Sequence, residues 1–113
     1  MMGLASKKCV PCEASTPPLS GNEAEKYLQS LEGWIIVDNR LEKEYRFASY
    51  LKGLEFAYHM GKIAENEGHH PDMLIKWRRV HVAWTTHAIR GLSENDFIMA
   101  AKSDREYFRF LVG

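Results

Sequence analysis

Met73, Ile75 and Trp77 alternate with other residues, and Val80, Val82 and Trp84 alternate again across a break at Arg78-Arg79. A period of two puts every second side chain on the same face of a strand. Two such runs with so short a break between them pair antiparallel, as a hairpin turning around Arg78-Arg79. That turn lacks the Asn-Gly or Asp-Gly pair that two-residue hairpins favour. An earlier pair has the same form. Trp34 to Val37 is a short apolar strand, and Asp38-Asn39 is turn-like. From 41 to 47, Leu41, Lys43, Tyr45 and Phe47 share one face, while Glu42, Glu44 and Arg46 share the other.

Helical patterns surround both hairpins. Ser20 with Glu23 forms a capping box, and Ala24, Tyr27, Leu28 and Leu31 follow at helical spacing, with Gly33 as the stop. Ser49 caps a second helix with Phe56, Met60, Ile63 and Ala64 as its apolar stripe; Gly68 ends it and Pro71 forbids continuation. Ser93, with Asp96 at the capping-box position, opens a third, whose core face is Phe97, Ala100, Ala101, Phe108 and Leu111. The order α-β-β-α-β-β-α predicts an α+β domain over 20–113: a four-stranded antiparallel sheet with three helices packed on one face. Residues 1–19 read as an extended, proline-bearing arm that buries little.

Charge narrows the functional classes. Lys plus Arg equals Asp plus Glu at 15 each, which argues against a broad surface for nucleic acid or an anionic membrane. No apolar run approaches the roughly 18 to 20 residues of a membrane span. The N-terminus shows no apolar core of a secretory signal, so a cytoplasmic protein is expected. Cys9 and Cys12 form a C-x-x-C pair with no strand pattern before it and no second pair to complete a zinc site. A reduced, unliganded pair in a mobile arm is the expectation; a metal or redox role is the alternative.

His69 and His70 sit where the second helix must stop, because Pro71 drives His70 into extended geometry. His87 follows the fourth strand. In an antiparallel hairpin, residues just before one strand and just after its partner are neighbours, so the three imidazoles are expected to meet. Histidine ordinarily titrates nearest neutrality, which suits it to giving and taking protons. Glu65, one turn before His69, and Asp96 can each orient an imidazole. A polar loop or a zinc site are the rival readings, although adjacent histidines fit the ring geometry of one zinc ion poorly. His59 and His81 are expected to have structural or surface roles. Trp34, Trp77 and Trp84 read first as core or interface aromatics, with Trp34 also able to stack on a flat ligand.

The stretch from Glu65 through His69-His70-Pro71, Thr86-His87 and Gly91-Leu92-Ser93 to Asp96 resembles the pterin-4a-carbinolamine dehydratases, with no gap. The resemblance extends over about residues 20 to 112, and the arm is similar to that of some bacterial members. Gly68 departs from the acid that animal members carry before His-His. The resemblance implies the four-stranded, three-helix fold and association as a homodimer or homotetramer. It implies a hydro-lyase that removes water from 4a-hydroxytetrahydropterin to give the quinonoid dihydropterin. The pterin cofactor of aromatic amino acid hydroxylases, partners in the same pathway, is thereby recycled. No metal or organic cofactor is implied. On the same resemblance His69 and His87 are candidates for the general acid and His70 for holding the pterin. Glu65 and Asp96 would fix tautomers, with Thr86, Trp34 and Pro71 as further binding or orienting residues. Animal members also act as a dimerisation cofactor of a homeodomain transcription factor, so a protein-binding module is the alternative function.

Overall fold

The structure, a computed structural model, describes residues 3–10 and 17–112. After a short 3₁₀ turn at Leu4–Ser6 come α1 (Gly21–Leu28), β1 (Ile35–Val37), β2 (Arg40–Arg46) and α2 (Tyr50–Glu67). Then follow β3 (Asp72–Lys76), β4 (Arg79–Trp84), a 3₁₀ turn at His87–Ile89 and α3 (Glu94–Val112). The strands form one antiparallel sheet in the order β1-β2-β4-β3. The expected α-β-β-α-β-β-α fold is the one observed.

Local chemistry accounts for the boundaries. Ser20 N–H donates to Glu23 Oε1 at 2.9 Å and Glu23 N–H to Ser20 Oγ at 3.2 Å, the reciprocal pair of a capping box. Ser49 Oγ accepts from Lys52 N–H at the start of α2. At its end Gly68 takes φ 68°, a left-handed conformation that a side chain disfavours, and donates to Ala64 O. Asp38 and Asn39 both have positive φ, as the tightest hairpin turn requires.

Alternation sets the core. Leu41 and Tyr45 of β2 and Val80, Val82 and Trp84 of β4 are all buried, against Phe56 and Met60 of α2 and Phe97 of α3. Full burial of side chains of this size contributes roughly 1.5–3 kcal/mol each. Tyr45 lies 4.9 Å from Phe56 and 4.6 Å from Tyr107 between ring centroids. Arg40, Glu42, Glu44, Arg79 and His81 take the opposite face, where His81 and Glu42 pair at 2.8 Å.

Four expectations are corrected. First, α1 ends at Leu28, not at Gly33: Ser30 Oγ donates to Tyr27 O at 2.7 Å and Leu31 N–H to Leu28 O, closing tight turns that end the helix. Gly33, at φ 79°, instead turns the chain into β1. Second, the later hairpin turns at Trp77-Arg78, one residue early. Ile75 pairs with Val80 so that both face the core, which leaves Trp77 in the turn and 72% exposed. Third, α3 presents Phe97, Ala100, Ser103 and Tyr107 inward. Phe108, one residue and about 100° further round, is 61% exposed, and the Leu111 side chain lies outside the described residues. Fourth, residues 3–10 are not a loose arm. Leu4 and Cys9 pack against the core, and Lys102 Nζ donates to Ala5 O at 2.9 Å. Cys12 lies outside the described residues.

One half-buried carboxylate fastens α3 to the sheet. Asp104 accepts from Trp34 Nε1 at 3.0 Å, Lys43 Nζ at 2.9 Å and Tyr45 Oη at 2.6 Å. Desolvation, then the Asp104 charge, pushes the Tyr45 phenol well above its usual range. Asp104→Ala removes the acceptor these three donors share, although Lys43 keeps its bond to Glu32 O, and is expected to lower the unfolding free energy by roughly 1–2 kcal/mol. Chemical denaturation reads this directly, and an unshifted midpoint would mean that the donors are satisfied elsewhere.

Candidate active site

The register of β3 and β4 determines what meets at their open end. Asp72 pairs with Ala83, so continuing the ladder carries residues 69–70 towards residues 85–86. There the chain leaves β4, and Thr86 and Gly91 bond reciprocally, Thr86 N–H to Gly91 O at 3.0 Å and Gly91 N–H to Thr86 O at 3.4 Å. The loop thus closed projects His87 from the His87–Ile89 turn. All three imidazoles line one cavity of about 540 Å³, together with Pro71 and Thr86. Its volume lies within the usual span for small-molecule sites, about 300–1,000 Å³.

The three rings are held differently. His69 is 12% exposed and lies parallel to the Trp84 indole, 5.7 Å between centroids. Its Nε2 is 2.7 Å from Asp96 Oδ1. Asp96 is wholly buried, and its Oδ2 also accepts from Ser93 N–H at 2.9 Å and Thr86 Oγ1 at 2.8 Å. An ionised carboxylate only accepts, so Nε2 of His69 donates and Nδ1 of the neutral ring is left as the acceptor. His70 Nε2 pairs with Glu65 Oε2 at 2.8 Å, both side chains more than half exposed. His87 is exposed, and its ring has no hydrogen-bond partner among the described residues.

Asp96 is thus both cap and anchor: its carboxylate completes half of a capping box with Ser93 and reaches across to His69. Glu65 orients His70 rather than His69. Trp34 does not line the cavity; its indole is 4% exposed and is held by Asp104, so it is not placed to stack on a ligand there. His59 and His81 lie outside the cavity lining too. Cys9, Val10, Glu67 and Asn95 line it without having been expected to. The arm carries no periodic pattern, and Glu67 and Asn95 differ from other polar residues only in standing beside Gly68-His69 and Asp96. Among the described residues no group of three or more His, Cys, Asp or Glu side chains is arranged to hold a metal ion. No helix among them is long and apolar enough to cross a membrane.

A family model described as pterin 4 alpha carbinolamine dehydratase matches residues 17–106. The chain belongs to that family. A relative from Alkaliphilus metalliredigens is 47% identical over 108 residues, 94% of this chain and 97% of its own. One from Azoarcus sp. is 46% identical over 104 residues, 90% of this chain and 89% of its own. Both are named "Putative pterin-4-alpha-carbinolamine dehydratase". The crystal structure of a transcriptional coactivator/pterin dehydratase from Brucella melitensis superposes with a TM-score of 0.76 at 28% identity, covering 80% of this chain and 98% of that one. The family model begins at residue 17, beyond the docked residues 3–10. The Alkaliphilus alignment, in contrast, spans 94% of this chain and so reaches into residues 3–10.

Proposed function

We propose that the histidine cavity catalyses loss of water from 4a-hydroxytetrahydropterin to give quinonoid dihydropterin. The observation that carries this is the meeting of three imidazoles in one cavity, one anchored by a buried carboxylate and one whose ring has no hydrogen-bond partner among the described residues. Hydroxide leaves poorly, so the C4a–O bond breaks as the oxygen is protonated, and a ring nitrogen gives up a proton as the new double bond forms. One proton enters and one leaves, so two proton-exchanging groups suffice without a redox partner. His69 and His87 are the groups proposed for these transfers, each on the scale of ~10²- to 10⁴-fold for positioned acid–base groups. His70, oriented by Glu65, holds the pterin. Thr86 and Asp96 fix the His69 ring, and Pro71 sets the turn that presents the pair. The product is then reduced elsewhere, which returns the cofactor of aromatic amino acid hydroxylases.

The decisive experiment compares freshly generated 4a-hydroxytetrahydropterin with and without the protein. Acceleration over spontaneous dehydration supports the reading, and a rate equal to the background refutes it. Chelators are expected to leave the rate unchanged. His70→Ala is expected to raise KM about tenfold with little change in kcat, since a group that binds ground and transition states alike acts on KM.

A second reading is a protein-binding role, favoured by the coactivator name of the Brucella protein and by Leu51, Leu54 and Tyr58, exposed along α2. The same residues support the expected homodimer or homotetramer, which light scattering tests.

A further inference from the structure

We propose that residues Cys9 and Val10 of the N-terminal strap form a substrate-contacting wall of the active site, one that meets the non-reacting substituent of the pterin and favours uncharged substituents over acidic ones. The proposal rests on the dehydratase reading and extends it to specificity.

The strap is fastened to the segments that carry the proton-transfer groups. Val10 N–H donates to Asn95 Oδ1 at 3.0 Å, and Asn95 Nδ2 donates back to Val10 O at 2.5 Å. One carboxamide thus engages both main-chain groups of one residue, as a neighbouring strand would. Asn95 is 4% exposed and directly precedes Asp96, the anchor of His69. Cys9 N–H donates to Glu67 Oε1 at 2.8 Å, two residues before His69. Further back Lys102 holds Ala5, and Lys7 pairs with Glu94 at 2.7 Å. The strap is thus tied to residues that stand beside His69 and Asp96 in the chain.

What the strap offers is surface without acid–base function. Val10 lines the cavity yet is 63% exposed, so its apolar side chain is presented to the space instead of being packed into the core. Cys9 lines the cavity too. Desolvation, reinforced by the Glu67 charge, pushes its thiol up to about 12, so at neutral pH it is a protonated, weakly polar group and not a nucleophile. The reacting oxygen must lie within hydrogen-bond reach of imidazoles. Neither Val10 nor Cys9 can replace an imidazole, which leaves them the part of the substrate that does not react. Glu67 and Asp72 also line this cavity; Asp72 is paired with Arg40 at 2.9 Å, so the Glu67 charge is the one that disfavours an anionic tail.

The test uses the full chain and steady-state kinetics on freshly generated 4a-hydroxytetrahydropterin, with either a neutral dihydroxypropyl or an acidic substituent. Val10→Trp narrows the cavity at an exposed position, so folding is preserved. It is expected to raise KM for the neutral substrate about tenfold while kcat stays within about twofold. Deletion of residues 1–10 is expected to raise KM on the same scale and to reduce the preference for the neutral substrate; if that variant fails to fold, Val10→Trp alone decides. Lys52→Ala, which breaks an exposed pair on α2 outside the cavity, is the control and should leave KM unchanged. If the parent accelerates dehydration but Val10→Trp keeps the parental KM, or loses kcat instead, the wall is refuted and the dehydratase reading stands. If the parent prefers the acidic substrate, the specificity claim is overturned. If the parent accelerates neither substrate, the dehydratase reading itself fails and this inference with it.

Discussion

The folded His69→Ala/His87→Ala variant is expected to lose roughly 10²- to 10⁴-fold in kcat, and more than either single variant loses. Two imidazoles on one cavity explain the second half of that expectation. If either ring can reach the leaving oxygen, removal of one is partly covered by the other, and only the double variant uncovers the full effect. Their anchoring makes the singles unequal. His69 is fixed by Asp96 and stacked on Trp84, so its loss also empties a nearly buried site. His87 is exposed and its ring has no hydrogen-bond partner among the described residues, so its loss should act on chemistry with little change in melting temperature. His59→Ala and His81→Ala, whose rings lie outside the cavity lining, should keep the parental rate. A folded double variant that dehydrates at that rate would remove the histidines from the chemistry altogether.

The convergence of those rings was legible because it follows from strand pairing. A pair just before β3 and a residue just after β4 must share one end of the hairpin, whatever the turn at the other end. The turn itself slipped by one residue, since Trp77-Arg78 has no strong turn chemistry, and burial of Val80 and Val82 fixed the register instead. The phase of α3 was less legible. Phe108 is as apolar as Phe97, and only the tertiary position of Asp104, which collects donors from β1's approach and β2, shows which side of the helix faces the sheet. Trp34 is the core aromatic expected first; that it lies away from the cavity was not legible, because the partner of its indole N–H is 70 residues distant. The strap was the least legible part. Its attachment runs through bonds between its main chain and the side chains of Glu67, Asn95 and Lys102 and through the Lys7–Glu94 pair, which leave no periodic trace in composition or hydropathy.

Asp96 carries the other large expected effect. Its carboxylate accepts from the Ser93 main chain, the Thr86 hydroxyl and the His69 ring while wholly buried. Asp96→Ala leaves all three donors without that acceptor and is expected to lower stability by about 3 kcal/mol. That variant alone does not separate folding from catalysis, so Asp96→Asn is the informative one. A carboxamide of the same shape offers one oxygen and one NH₂ group. If its oxygen continues to serve Ser93 and Thr86, the NH₂ group faces His69 Nε2, which must then accept instead of donate. The neutral ring changes tautomer, and Nδ1 becomes a donor. With the proton on the wrong nitrogen, kcat should fall roughly 10²-fold or more while KM moves little, as for an orienting carboxylate beside a catalytic imidazole. The imidazole nitrogen chemical shifts of His69 report the tautomer directly, a readout that a purely structural role would not move. Glu65→Gln provides the contrast, because the Glu65–His70 pair is solvent-exposed and its loss should shift KM modestly. A folded Asp96→Asn variant with parental kcat and an unchanged His69 tautomer would leave Asp96 as a helix cap and nothing more.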